Sequence, residues 1–407
     1  MKIKKCRLCA SNKFSNLFSL GSLSFTGKFT KSIKTNIPKN YLSLIICKKC
    51  KLVQLDRSFN PNYLYSNDYG YRTGINKTMT RHVGAVASEA VKIARPIKKD
   101  FILDIASNDA TLLNFYSRNL NTVGVDPLIQ KHKKFYNKVN YKISDFFSYN
   151  LLKKHKLNKK YKIITALSMF YDLKDPHKFV KDIVKILHHD GIFILEHADL
   201  LSILKNCLFD TICHEHLEYY SSKIIINLMK INNLRVFNIK QNSINGGSMR
   251  YFICHDNSKF KTKKKIISLI LSQEKKFKLE NVGTYFKFFK KINFIKKKLN
   301  GLLKSIENKG LTIHGYGAST KGNVLLQYFG LSKKFIPYIA DRNPQKFNSY
   351  TPGTKIKIIS ENISRKIRPN YYLVLPWHFK NEILKRENKI RKKGTKFIFP
   401  LPQLKVL

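Results

Sequence analysis

The stretch Phe101-Ile102-Leu103-Asp104-Ile105-Ala106-Ser107-Asn108-Asp109-Ala110-Thr111-Leu112-Leu113 decides how the rest of the chain is read. Residues 101–105 form a short apolar run with β-branched members, the pattern of a buried parallel strand. Residues 106–110 are small and polar, as a tight turn requires, and Thr111-Leu112-Leu113 opens a helix. Working outward, residues 122–126 give a second strand that ends in Asp126, and residues 141–146 a third with Asp145 and Phe146 at its end. Residues 161–167 and 191–196 supply a fourth and fifth strand, with a helix over about 177–187 between them. Strands alternating with helices, with acids at the strand ends, mean an α/β sheet whose ligand lies at its carboxyl edge.

The turn separates two kinds of nucleotide ligand. A loop that lets its backbone approach a pyrophosphate carries G-x-G-x-x-G. Here it is A-S-N-D-A, without glycine and with an acid. S-adenosylmethionine has no phosphate and carries a sulfonium and an ammonium, so this loop suits it. Asp104, Asn108 and Asp109 fit the cationic end. Asp126 fits the ribose hydroxyls, and Asp145 with Phe146 the adenine.

On the amino-terminal side, Cys6-Arg7-Leu8-Cys9 and Cys47-Lys48-Lys49-Cys50 are two Cys-x-x-Cys knuckles. Two such pairs complete a closed tetrahedral site with no open position for water, so the expected metal is a structural Zn²⁺ held by Cys6, Cys9, Cys47 and Cys50. Residues 60–80 are rich in tyrosine. They read either as aromatic packing between domains or as a wall of the site, with Tyr71 among the phenols facing a substrate. A helix is expected to start near 73–77.

On the carboxyl-terminal side, residues 209–220 (FDTICHEHLEYY) concentrate Asp210, Cys213, His214, Glu215, His216, Glu218, Tyr219 and Tyr220. His214 and His216 alternate, which in a strand places both on one face. Base catalysis, structural hydrogen bonding and metal ligation are all open to such histidines, but the spacing is not that of H-E-x-x-H. Gly246-Gly247-Ser248-Met249-Arg250 allows a close backbone approach, and Arg250 can hold a carboxylate or phosphate. Residues 262–308 are helical and Lys-rich. A second α/β unit starts near Thr312. Its Gly-rich turn, Gly315-Tyr316-Gly317-Ala318-Ser319-Thr320-Lys321-Gly322, enters a helix from Asn323, and a further strand ends at Asp341. Backbone amides at such a helix start favour an anion.

The chain has 407 residues and a net charge of +52, with 43% hydrophobic and 12% aromatic residues. That is enough for two or three domains with real cores. The charge comes mainly from lysines scattered through every region, so no nucleic-acid partner is expected. No run of about 18 apolar residues is present, so no membrane insertion is expected. The amino terminus lacks the apolar core of a secretory signal, and a soluble cytoplasmic protein is the expectation. Oligomeric state is silent in the sequence.

The paired knuckles, D-I-A-S-N-D-A-T-L-L, G-V-D-P, H-E-H followed by tyrosines, G-G-S-M-R and G-Y-G-A-S-T-K-G-N span nearly the whole chain. In this order they resemble the sugar C-methyltransferases that act on nucleotide-linked keto-deoxysugars. The resemblance implies a Rossmann-like class I methyltransferase domain, flanked by a small N-terminal zinc domain and a second, C-terminal Rossmann-like α/β domain. The expected boundaries are 1–75, 76–245 and 246–407. It implies methyl transfer from S-adenosylmethionine to a ring carbon next to a ketone, with His216 as base and Glu215 as its partner. Tyr71, Tyr219, Tyr220, Arg250, Gly317, Lys321, Asn323 and Asp341 are the expected contacts to the nucleotide-linked sugar. The chain departs from the family at Cys213, where a tyrosine is usual, and at Ala106 and Ala110, where glycines are usual. An RNA methyltransferase with a zinc ribbon, or a non-catalytic binding protein with a donor fold, would share parts of this pattern.

Overall fold

The structure is a computed structural model that describes residues 2–66 and 69–407. Its first sheet has four strands. β1 (Phe14–Ser24), β2 (Lys39–Cys47) and β3 (Val53–Leu55) pair antiparallel, and Glu218–Tyr219 is added along β3 from far down the chain. The two knuckles sit at the end where β2 turns into β3.

The second sheet has seven strands. β4 (Phe101–Ile105), β5 (Asn121–Val125), β6 (Tyr141–Ile143), β7 (Tyr161–Leu167) and β8 (Leu187–Ala198) are mutually parallel in the spatial order β6-β5-β4-β7-β8. β9 is the borrowed Glu218–Tyr219 pair. β10 (Leu234–Asn242) and β11 (Ser248–His255) close the far edge, with β11 antiparallel to β8. The parallel strands β4, β5 and β7 are buried on both faces, as their apolar runs require, while Tyr141 and Lys142 of the edge strand β6 are exposed. The chain runs outward from β4 and then returns to β7, so the crevice between their carboxyl ends is a topological switch point, where ligands bind.

The third sheet lies beyond two Lys-rich helices. Its strands are β12 (Ile313–Tyr316), β13 (Tyr338–Asp341), β14 (Lys357–Ser360), β15 (Tyr371–Val374), β16 (Lys396–Phe399) and β17 (Lys405–Val406). They run in the order β14-β13-β12-β15-β16-β17. The sheet is parallel except for β17, and its switch point lies between β12 and β15.

Three sequence expectations change. Thr111-Leu112-Leu113 opens only a short 3₁₀ turn, Leu113–Phe115, because few residues remain before β5 must begin. His214 and His216 lie in a turn ahead of β9, so they share no strand face: His214 packs edge-on against Phe25 and Phe59, away from His216. The expected division at 245/246 falls inside the β10–β11 hairpin, whose register pairs Asn242 with Ser248. Both strands belong to the second, seven-stranded sheet, and the chain leaves it only after His255.

The units are joined by packing and by specific bonds. One apolar core runs through the first sheet, residues 198–219, the long helix Val282–Asn308 and the third sheet. The Asn323 side chain donates to the Thr26 carbonyl at 2.7 Å, and Gln327 binds both backbone groups of Ser24. Trp377 donates to Asp210 at 2.9 Å. Among the described residues no helix is long and apolar enough to cross a membrane.

Candidate functional site

The site is organised by a strap, residues 69–76, laid over the loop that follows β4. The strap leads into α1 (Lys77–Ala94), whose first amides are capped by Asn76. The Thr73 amide donates to Asn108 Oδ1 and the Gly74 amide to Asp109 Oδ2, both at 2.9 Å. Gly74 has to be glycine, since a Cβ there would stand 2.8 Å from Asp109 Oδ2. The strap places Tyr71 between three adjacent cavities, all of which it lines.

The first cavity, a cleft of about 360 Å³, opens at the β4/β7 switch point. Its walls include Ala106, Asn108, Asp126, Phe146, Glu196 and Glu215. Asp126 accepts the Asn108 amide at 2.9 Å and the Leu128 amide at 2.7 Å, and burial pushes its carboxyl up to about 6. Glu196 is held by His82, Asn242 and Arg250. Asp126, Asp172, Glu196 and Glu215 border this cleft with no lysine or arginine except Lys174. An acid-lined cleft with an aromatic ring at its edge fits S-adenosylmethionine: Asp126 would hold its ribose and Phe146 its adenine, with the carboxyl groups near its cationic end.

Other expected donor contacts stand elsewhere. Asp104 lies beneath the loop and accepts from Thr165 Oγ1 at 2.6 Å, and burial raises its carboxyl to about 7. Asp109 is used by the strap and by Thr111, outside the cleft lining. Asp145 is exposed and accepts its own neighbour's amide, from Phe146. Ala106 and Ala110 both adopt left-handed φ, +58° and +59°, which accounts for glycine being usual there. The Ala106 methyl borders the cleft, while Ala110 is buried in the core.

The second cavity, about 210 Å³, continues from the cleft across Tyr69, Asp172 and Glu215 to His216, Lys321 and His378. His216 Nδ1 lies 2.7 Å from the Thr211 carbonyl. A carbonyl only accepts, so Nδ1 carries the proton and Nε2 keeps a free lone pair. Burial, with the Lys321 charge nearby, lowers the imidazole to about 3, so it is neutral. Glu215 is buried: Oε2 accepts from Thr26 at 3.3 Å, and Oε1 has no partner among the described residues. Gly27 allows this, because a Cβ there would lie 2.5 Å from Glu215 Oε1. Cys213 is buried and borders none of these cavities. Lys321 and Lys346 both line the second cavity. Their ammonium groups donate to the carbonyls of Asn245 and Ala318, and burial lowers both.

The third cavity, about 150 Å³, lies at the β12/β15 switch point between Gly317, Asp341, Arg72, Arg342 and Arg386. Four expected substrate contacts are not at any of these cavities. Tyr219 donates to the His216 carbonyl, and Tyr220 is buried against Phe170 and His197. Arg250 is consumed by Glu196 and Glu89, its cross-strand register facing it to Glu196. Asn323 is consumed by Thr26. Sequence reasoning missed Asp172, Glu196, Lys346 and His378. The visible signal for Asp172 and Glu196 was an acid at or just past the end of a parallel strand.

In the N-terminal unit the sulfurs of Cys6, Cys9, Cys47 and Cys50 all lie within 4.8 Å of one another. Four thiolates this close, drawn from two knuckles, are the donor set of a structural Zn²⁺ with bonds of about 2.3 Å.

Comparison with known proteins gives a consistent picture. Residues 6–65 match a zinc binding domain family, 68–239 a methyltransferase domain family, and 243–402 the C-methyltransferase C-terminal domain family. The chain is similar to C-methyltransferase NovU of Streptomyces niveus, with 25% identity over 415 residues that cover 100% of this chain and 97% of that one. Among solved structures it is similar to an S-adenosylmethionine-dependent methyltransferase from Clostridium acetobutylicum, at 14% identity, 43% and 92% coverage and TM-score 0.36. It is also similar to magnesium protoporphyrin IX methyltransferase from Synechocystis, at 12% identity, 44% and 88% coverage and TM-score 0.33. The chain is an S-adenosylmethionine-dependent methyltransferase that carries, in order, a zinc binding domain, a methyltransferase domain and a C-methyltransferase C-terminal domain.

Proposed function

We propose that this enzyme methylates a ring carbon next to the ketone of a nucleotide-linked deoxysugar. The observation that carries the reading is that three adjacent cavities share Tyr71 in their walls. A methyl donor in the first and a diphosphate-bearing group in the third would meet at the second, beside His216. The desolvated ammonium groups of Lys321 and Lys346, whose hydrogen bonds among the described residues go to backbone carbonyls, suit the negative charge of such a substrate. The donor supplies an electrophilic methyl on a sulfonium. His216 Nε2 removes the proton from the ring carbon, and the resulting carbanion attacks that methyl. Thr211 holds the imidazole in the tautomer this needs. Glu215 binds a substrate hydroxyl through Oε1. Facing domains hold the reactants in line, which saves the entropy of bringing them together.

The test is label transfer from methyl-labelled S-adenosylmethionine to a thymidine-diphosphate-linked keto-deoxyhexose. His216→Asn should lower turnover by about 10²–10⁴-fold, while calorimetry still shows donor binding. Full turnover in His216→Asn would remove the base from that residue. Transfer to RNA but to no keto-sugar would replace the substrate reading.

A further inference from the structure

We propose that Asp172 is a catalytic acid of this enzyme, protonated on Oδ1 and donating a hydrogen bond to the substrate oxygen that gains charge as the ring carbon loses its proton. The inference rests on the keto-sugar reading above. Asp172 closes the 3₁₀ turn Phe170–Asp172 just beyond β7, at the carboxyl edge of the sheet. It borders both the donor cleft and the reaction cavity, where the oxygen of a bound ketone has to lie.

Its two oxygens are not equivalent. Oδ2 accepts the Tyr65 hydroxyl at 2.6 Å. An oxygen engaged as an acceptor leaves the acid proton to the other, so the proton sits on Oδ1. That atom is shielded from solvent and has no hydrogen-bond partner among the described residues. An unpartnered buried carboxylate oxygen is costly, and protonation relieves the charge and turns the atom into a donor. Glu215 Oε1, also unpartnered, borders the same two cavities, and two carboxyl groups sharing a dry site resist ionising together. In keeping with this, burial, with a smaller push from the Glu215 charge and against the opposing Tyr65 hydrogen bond, holds the Asp172 carboxyl well above the usual carboxylate range. A carboxylic acid kept neutral by an apolar site is a known way to stabilise an enolate oxygen.

The base itself calls for such a donor: burial weakens His216, whose imidazole is neutral beside Lys321. It removes a carbon-bound proton only if the enolate oxygen is stabilised in the same step. His216 Nε2 takes the proton, and the C–H electron pair becomes the enolate, with charge on the oxygen facing Asp172. The pair then returns to form the new C–C bond as the C–S bond breaks, leaving its electrons on sulfur. The ketone re-forms, Asp172 keeps its proton, and His216 releases its own to solvent.

Asp172→Asn and Asp172→Ala test this with the full-length protein, the thymidine-diphosphate-linked keto-deoxyhexose and S-adenosylmethionine. The Asn side chain can still accept from Tyr65 and donate from the other arm, so kcat should fall less than about tenfold. Asp172→Ala should lose roughly 10²–10³-fold in kcat with little change in KM, the scale of removing one oxyanion donor. Wild-type activity should fall as pH rises through the raised Asp172 pKa, and that limb should vanish in Asp172→Asn. A measurement independent of substrate is the infrared difference between wild type and Asp172→Asn near neutral pH, which should contain a protonated-carboxyl band. Absence of that band, an Asn variant as inactive as the Ala variant, or an Ala variant with near wild-type turnover would each overturn the proposal. Absence of transfer to the keto-sugar with the band present would overturn the substrate reading and leave the protonation of Asp172 standing.

Discussion

The loop after β4 and the loop after β12 are built on one plan. In each, the acid at the end of the next strand accepts one backbone amide from the turn and one from the loop that follows its own strand. Asp126 accepts from Asn108 at 2.9 Å and Leu128 at 2.7 Å, and Asp341 accepts from Ala318 and Asn343, both at 2.7 Å. Beyond the clamp the two loops diverge. The first turn runs through left-handed Ala106, Asn108 and Ala110 into a single 3₁₀ turn. The second uses Gly317, at φ +80°, and enters α2 (Thr320–Phe329), capped by Ser319. The charge balance around them differs: Asp126, Asp172, Glu196 and Glu215 line the first with Lys174, whereas Arg72, Arg342, Lys346 and Arg386 line the second together with Asp341, Glu361 and Glu382, two of these arginines being paired with the glutamates. The difference in charge comes from neighbouring elements, while the clamp itself is common to both.

The strongest way to break this comparison is to remove each clamp. Asp126→Ala and Asp341→Ala each leave two backbone amides without their acceptor, and each should destabilise by about 2–5 kcal/mol in chemical denaturation. Only Asp126→Ala should also abolish the calorimetric heat of S-adenosylmethionine binding. Loss of that heat in both variants would mean that the two clamps are not separable. The next effect is Gly317→Ala. Its Cβ would meet the Pro376 ring at 2.6 Å in a left-handed backbone, and a loss of about 2 kcal/mol is expected. The reverse exchange, Ala106→Gly, should gain about 1 kcal/mol, because glycine takes positive φ without the Cβ penalty. It should also tighten donor binding, since it removes a methyl from the cleft wall.

The smallest expected effect is a difference in pH slope between the two first strands. Asp104 in β4 is raised to about 7 from 3.8 by burial. The folded state thus holds a proton that the unfolded state has lost, and this contribution to stability declines as pH rises from about 4 to about 7. His314 in β12 is lowered to about 4 from 6.5 by burial. Its contribution is present above its unfolded value and is lost as pH falls from about 6.5 to about 4. Thermal melts across this range should show opposite changes of slope in Asp104→Asn and His314→Gln. Changes of the same sign would show that neither residue governs its strand.

The strands of both α/β units were legible because β-branched apolar runs between acids and glycines announce buried parallel strands. The metal set was legible because Cys-x-x-Cys spacing is itself geometric. Loop conformation was not legible at Ala106 and Ala110, because alanine gives no local sign of positive φ. Arg250 was misread because G-G-S-M-R has the composition of a ligand turn, and only strand register shows it lying across from Glu196. Asp172 was missed because its meaning depends on Tyr65, more than a hundred positions away in the chain. The tyrosine-rich segment read equally as interdomain packing or as a wall, and the place of Tyr71 beside three cavities depends on the Asn108 and Asp109 bonds that seat the strap.

The pairing of Glu218–Tyr219 with β3 has a consequence in time. During synthesis β3 is made long before its partner, and at 5–20 residues per second the interval is on the order of ten to thirty seconds. Through that interval the nascent first sheet presents an open apolar edge, Val53 and Leu55, of the kind that recruits other chains. The segment that finally covers it is the one that carries His216. Quality control of the nascent chain and assembly of the reaction site thus converge on one late event, and a mutation that slows the arrival of residues 209–220 would show itself as aggregation during expression before it showed itself as lost turnover.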